Sequence, residues 1–101
     1  MENGQQDNRW MVYQLRCSDG TYFAGVTRDI AKSLARHQRG QVRKTQGALP
    51  VALVYCHETR MDGAPHLVRR LQFKPFNAID GLPPNAVRQV LARLARDTLS
   101  P

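Results

Sequence analysis

The residues of this chain best equipped for chemistry are cations at helical spacing. In the stretch VTRDIAKSLARHQRG, Arg28, Lys32 and Arg36 recur every fourth position, which on an α-helix aligns them along one ridge. No acid occurs between Asp29 and Glu58, an interval that also holds Arg39, Arg43 and Lys44. A second acid-free interval, between Asp62 and Asp80, holds Arg69, Arg70 and Lys74. Most of the basic residues are arginine, whose planar fork pairs with two phosphate oxygens at once. The expected nucleic-acid contacts are therefore Arg28, Lys32, Arg36, Arg39, Arg43, Lys44, Arg69 and Arg70. The expected partner is DNA or RNA, held mainly by phosphates and so with little sequence preference, against the alternative of a charge that only keeps the surface soluble.

The uncharged candidates are weaker. His37 has two open readings: contact with a phosphate or with a tyrosine of the site, or closure of the helix against a strand edge. Tyr13 reads equally as a core aromatic with a satisfied hydroxyl. Ser33 has no glycine-rich elbow or acid partner that would make it a nucleophile. Cys17, Cys56, His37, His57 and His66 are zinc-ligand types, but their spacing matches no zinc motif, and no metal site is expected. Glu58 and Asp62, at and just after the end of the apolar run VALVYCHE, are carboxylates with oxygen to offer a metal ion.

The whole chain fits a basic globular domain. Its 101 residues carry a net charge of +7 and a pI near 10.3, which favours polyanionic partners. No apolar run is long enough to cross a bilayer, and the amino end lacks the basic and apolar regions of an export signal. With only two cysteines, the expectation is reduced thiols and a cytoplasmic location.

The elements that must position these groups follow from periodicity. Residues 1–9 are polar and read as a flexible tail, and residues 10–98 as one domain. WMVYQLRC is a mostly buried strand, with Met11, Tyr13 and Arg16 on one side, and SDG turns it into a second strand, TYFAGV. Thr27 or Asp29 caps a helix whose inner face carries Ile30, Leu34 and His37 and which Gly40 ends. QVRKTQGALP is a polar loop. VALVYCHE, an almost unbroken apolar run, reads as the central strand of the sheet, covered on both faces. A short helix follows from about Pro65 to Phe73, with Leu67, Val68 and Leu71 inward, and Pro75 breaks it. The last helix runs from about Pro84 to Asp97 with Val87, Leu91, Leu94 and Ala95 inward. The predicted fold is α+β: a three-stranded antiparallel sheet flanked by helices, in the order strand, strand, helix, strand, helix, helix.

This order, together with MVYQLRCSDGTYFAGVTRDIAKSLARHQRG and LPVALVYCHE, resembles the GIY-YIG nuclease domain in its short, stand-alone bacterial form. The resemblance covers about residues 10–75. It matches Met11-Val12-Tyr13 to the first signature triplet and Phe23-Ala24-Gly25 to the second. It implies metal-assisted phosphodiester hydrolysis by tyrosines of the two triplets, an arginine on the first helix and a metal-binding glutamate on the next.

Carried over position by position, that machinery is largely missing. Tyr13 keeps the first phenol, but Phe23 replaces the second and cannot handle a proton. Ser33 stands where the arginine is implied, and a serine supplies no charge to a phosphoryl transition state. Arg70 stands where the glutamate is implied, and a guanidinium would repel a metal ion. Tyr13 and His37 are thus remnants of a catalytic site, with Phe23, Ser33 and Arg70 at substituted positions. The reading is a nucleic-acid-binding domain impaired or inactive as an endonuclease, with no cofactor expected. Two alternatives differ from it: an active Mg²⁺-dependent endonuclease with a rearranged site, and a protein-interaction module on a dead nuclease fold.

Overall fold

The computed structural model describes residues 9–99, and side chains up to residue 97, so residues 1–8 of the expected tail lie outside the described residues. Three strands, β1 (Arg9–Cys17), β2 (Tyr22–Thr27) and β3 (Val51–Arg60), form an antiparallel sheet. Three helices accompany it: α1 (Ile30–Gln38) between β2 and β3, then α2 (Ala64–Leu71) and α3 (Val87–Leu99). A single 3-10 turn at Phe76–Ala78 joins the last two. The α+β class and the element order are as expected. Arg9, assigned to the tail, is the first residue of β1 and pairs with Arg60 across the sheet.

The strand order is β2-β1-β3, which makes β1 central and corrects the assignment of VALVYCHE to that place. Being central, β1 is covered on both faces, so Val12, Tyr13, Gln14 and Leu15 are all buried. Its odd positions, Tyr13, Leu15 and Cys17, enter a core with Ile30, Val51, Cys56 and Val90, beneath α1 and α3. On the other face, Val12 joins Ala24, Tyr55, Ala64, Leu67 and Leu71 beneath α2. Arg16 therefore belongs by parity with Val12 and Gln14 rather than with Tyr13, and it is exposed. An irregularity beside Gln14 and Leu15 shifts the β1–β3 register, so that Gln14 faces Tyr55 while Leu15 faces Leu53.

The edge strand β3 is apolar because its free side is covered by the segment before α3 rather than by a strand. The Ala86 amide donates to the Cys56 carbonyl at 2.8 Å and the Tyr55 hydroxyl to the Pro83 carbonyl at 2.8 Å. The Asn85 side chain accepts from the Cys56 and Val87 amides and donates to the Val54 carbonyl. These bonds occupy groups that an open edge would expose. They also delay the start of α3 to Val87 and set its rotation: Val87, Val90 and Leu94 pack inward, while Leu91 is 46 % exposed and Ala95 is exposed. The expected inner face was right at Val87 and Leu94 and missed Val90.

Helix α1 is punctuated as its sequence dictates. The Asp29 carboxylate accepts from the Lys32 amide at 3.1 Å, which makes it the N-cap. At the other end Gly40 adopts φ +74°, its amide donates to the His37 carbonyl, and the Gln41 amide donates to that of Arg36. That pair of bonds is a Schellman ending, and only glycine enters it without strain.

Candidate functional site

Tyr13, Phe23, Ser33 and His37 come together beneath α1. Tyr13 rises from the central strand directly opposite Gly25 on β2. A Cβ at Gly25 would lie 2.9 Å from the Tyr13 hydroxyl and 3.0 Å from the Phe23 ring, so the glycine is the gap into which the phenol fits. His37 reaches the cluster from the last turn of α1, with its ring 4.7 Å from that of Phe23 and edge-on to that of Tyr13. These contacts are the tilted and edge-to-face arrangements that aromatic quadrupoles favour.

A relay of polar groups threads this cluster. The Tyr13 hydroxyl lies 3.3 Å from His37 Nε2, and His37 Nδ1 lies 2.8 Å from Thr45 Oγ1. The Thr45 hydroxyl donates in turn to the Val42 carbonyl at 3.4 Å. A neutral imidazole has one N–H, and with the threonine proton committed to Val42 the consistent assignment places it on Nδ1. Nε2 then accepts from the phenol. Burial and the nearby Arg36 charge both push the His37 pKa down from its ordinary value, which favours this neutral form. Thr45 is fully buried to serve the relay, although its surroundings in QVRKTQGALP gave no sign of it.

Burial pushes the Tyr13 phenol up from its ordinary pKa, with a hydrogen bond from Ser33 and the charge of Arg36 partly opposing the shift. The effect keeps the phenol protonated, the wrong direction for a general base at neutral pH. Ser33 thus sits at the Tyr13 hydroxyl, where the resemblance implies an arginine, and its Oγ lies 2.7 Å from Thr27 Oγ1. Arg70 lies elsewhere. It belongs to α2, beneath the other face of the sheet, and its guanidinium donates to the Asp80 carbonyl.

The site does not fit the divalent cation that the resemblance implies. A hard cation such as Mg²⁺ requires carboxylate oxygens, whereas this cluster offers two hydroxyls and an imidazole beside the Arg36 charge. Among the described residues no three of His, Cys, Asp and Glu gather as metal ligands would. Glu58 stands opposite Met11 at the end of β3 and pairs with Arg9 at 3.7 Å. Asp62 lies exposed in the turn before α2.

The cations fall into two layers. Lys32 and Arg36 lie exposed on α1, continued by exposed Arg39, Arg43 and Lys44. Arg28 precedes the helix rather than belonging to it, and its guanidinium stacks 5.0 Å above the Trp10 ring. Arg69 and Arg70 lie on α2, across the sheet from α1. The layers approach each other around the edge strand β2, where Lys44, Tyr22 and Phe23 line a groove with Gln72 and Phe73.

No helix among the described residues is long and apolar enough to cross a membrane. No family model and no solved structure matches the chain. Curated relatives do. A UPF0213 protein of Bacillus cereus is 37% identical over 73 residues, which cover 71% of this chain and 75% of the relative. A UPF0213 protein of Halobacterium salinarum is 40% identical over 60 residues, 58% of this chain and 75% of the relative. One from Nitratidesulfovibrio vulgaris is 47% identical over 55 residues, and the chain spans only half of that relative's length. The identity and coverage together identify the chain as a member of the UPF0213 family.

Proposed function

We propose that this protein binds DNA or RNA through phosphate contacts and does not cleave it. The observation that carries the reading is a segregation of charge on and around α1. The helix turns its uncharged Ser33 and His37 toward Tyr13, while Lys32 and Arg36 face solvent and lead into Arg39, Arg43 and Lys44. Cations so placed meet a phosphate backbone without desolvating anything buried. A nuclease built on this cluster would need a carboxylate to hold a metal ion and a phenol open to the substrate. Tyr13, Phe23, Ser33 and His37 offer no carboxylate, and Tyr13 is only 5 % exposed, which shields its hydroxyl from a scissile phosphate.

Incubation of the pure protein with supercoiled plasmid and Mg²⁺ or Mn²⁺ tests the absence of hydrolysis. The expected result is intact plasmid, including for Ser33→Arg, because one restored guanidinium leaves the site without a metal-binding carboxylate. Cleavage that disappears in Tyr13→Phe would overturn this part of the proposal.

A further inference from the structure

Phe73 is the most conspicuous residue that neither the remnant cluster nor the cation ridge explains. It is 87 % exposed, whereas the other phenylalanines are at least half-buried. A large aromatic ring left in water is unusual, and such residues mark binding surfaces when the backbone holds them out. Here the backbone does so. Gln14, fully buried on the central strand, donates through its amide nitrogen to the Leu71 carbonyl at 2.7 Å and to the Lys74 carbonyl at 2.6 Å. Its carbonyl oxygen accepts from the Phe76 amide at 3.1 Å. One side chain thus fixes the backbone on both sides of Phe73 and pins the turn to the sheet.

Phe73 stands between two grooves. On one side, a groove of about 330 Å³ carries Lys44, Tyr22 and Phe23 at the β2 edge. On the other, one of about 470 Å³ carries Arg69, Arg70 and Lys74, with Asp80 as its acidic member. The guanidinium of Arg70 is anchored to the Asp80 carbonyl. An aromatic crest with cations on both flanks is the arrangement that receives an unpaired base on the ring and the neighbouring phosphates on the charges. In a continuous duplex the base faces are occupied by stacking within the helix, so the ring has use only for a strand whose bases are free.

We infer that Phe73 is a base-stacking platform for single-stranded nucleic acid, with Lys44 on one side and Arg69 and Lys74 on the other holding the phosphates that flank the stacked base. The inference rests on the nucleic-acid-binding reading and deepens it. It names the substrate class as strands with unpaired bases and links the two layers of cations around β2.

Fluorescence anisotropy with labelled oligothymidylate, an abasic strand of the same length and a duplex tests it. Phe73→Ala should weaken oligothymidylate binding about tenfold, the scale of one stacked base, and leave the salt dependence unchanged. Phe73→Trp should bind at least as tightly as the wild type. The abasic strand should bind wild type and Phe73→Ala alike. If Phe73→Ala binds oligothymidylate as well as the wild type while both remain salt-sensitive binders, the platform is overturned and the broader reading stands. If the wild type binds the duplex but neither strand, the platform alone falls, and if it binds none of the three, both fall. If Phe73→Ala leaves strand binding unchanged but converts a dimer to monomers in light scattering, the ring serves a second copy of the chain, and the inference is overturned.

Discussion

The Tyr13 hydroxyl and His37 Nε2 lie 3.3 Å apart, both within the apolar interior between β1 and α1. In an enzyme such a pair would move a proton to or from substrate. Here the phenol is held protonated and the imidazole neutral, and the far side of the ring is tied to Thr45. The pair works as a structural bond that ties the last turn of α1 to β1.

Tyr13→Phe should therefore act on stability. The substitution leaves His37 Nε2 buried without its donor, which costs about 1–2 kcal/mol. In urea denaturation the midpoint should drop with the slope unchanged, because the folded surface is the same. Affinity for nucleic acid should stay within about twofold, since the hydroxyl is buried and makes no phosphate contact itself.

The pH dependence of stability follows from His37. Its folded-state pKa lies below the ordinary value of 6.5, so below that pH the unfolded chain takes up a proton that the buried ring refuses. The contribution is present above 6.5 and is lost as pH falls through the folded-state pKa. Urea midpoints should be lower at about pH 5 than at about pH 7.5, and His37→Gln should flatten that difference. An undiminished slope in the variant would assign the effect to other groups.

Gln14→Leu should be among the most damaging substitutions in the chain. It fills similar volume but strips partners from the Leu71 and Lys74 carbonyls and the Phe76 amide. Leaving such groups unpaired costs about 2–3 kcal/mol. Hydrogen exchange at the Phe76 amide should accelerate more than exchange in β1 or β3, and thermal denaturation should show the loss.

The element order was legible because each element carries its own period and its own stop: Asp29 and Gly40 for α1, Pro75 for the end of the α2 region. The central strand was misread for a physical reason. Gln14 interrupts the apolar run of β1, and its burial depends on backbone groups some sixty positions away that no local pattern reveals. Conversely, the apolar run of β3 suggested a doubly paired strand, while its free edge is satisfied by Asn85 and Ala86. The cluster of Tyr13, Phe23, Ser33 and His37 was legible through the matching triplets and helix positions. Thr45 and Phe73 were not. One is a threonine in a polar loop and the other an apolar residue assigned to a helix that ends before it at Leu71.

The central claim, that exposed cations on α1 and its following loop hold phosphates, is tested most directly by affinity for DNA as a function of salt. Binding should weaken steeply between about 50 and 200 mM salt, and Arg36→Gln should reduce the log–log slope by about one. Affinity no better than about millimolar at low salt, or a slope near zero, would contradict the account.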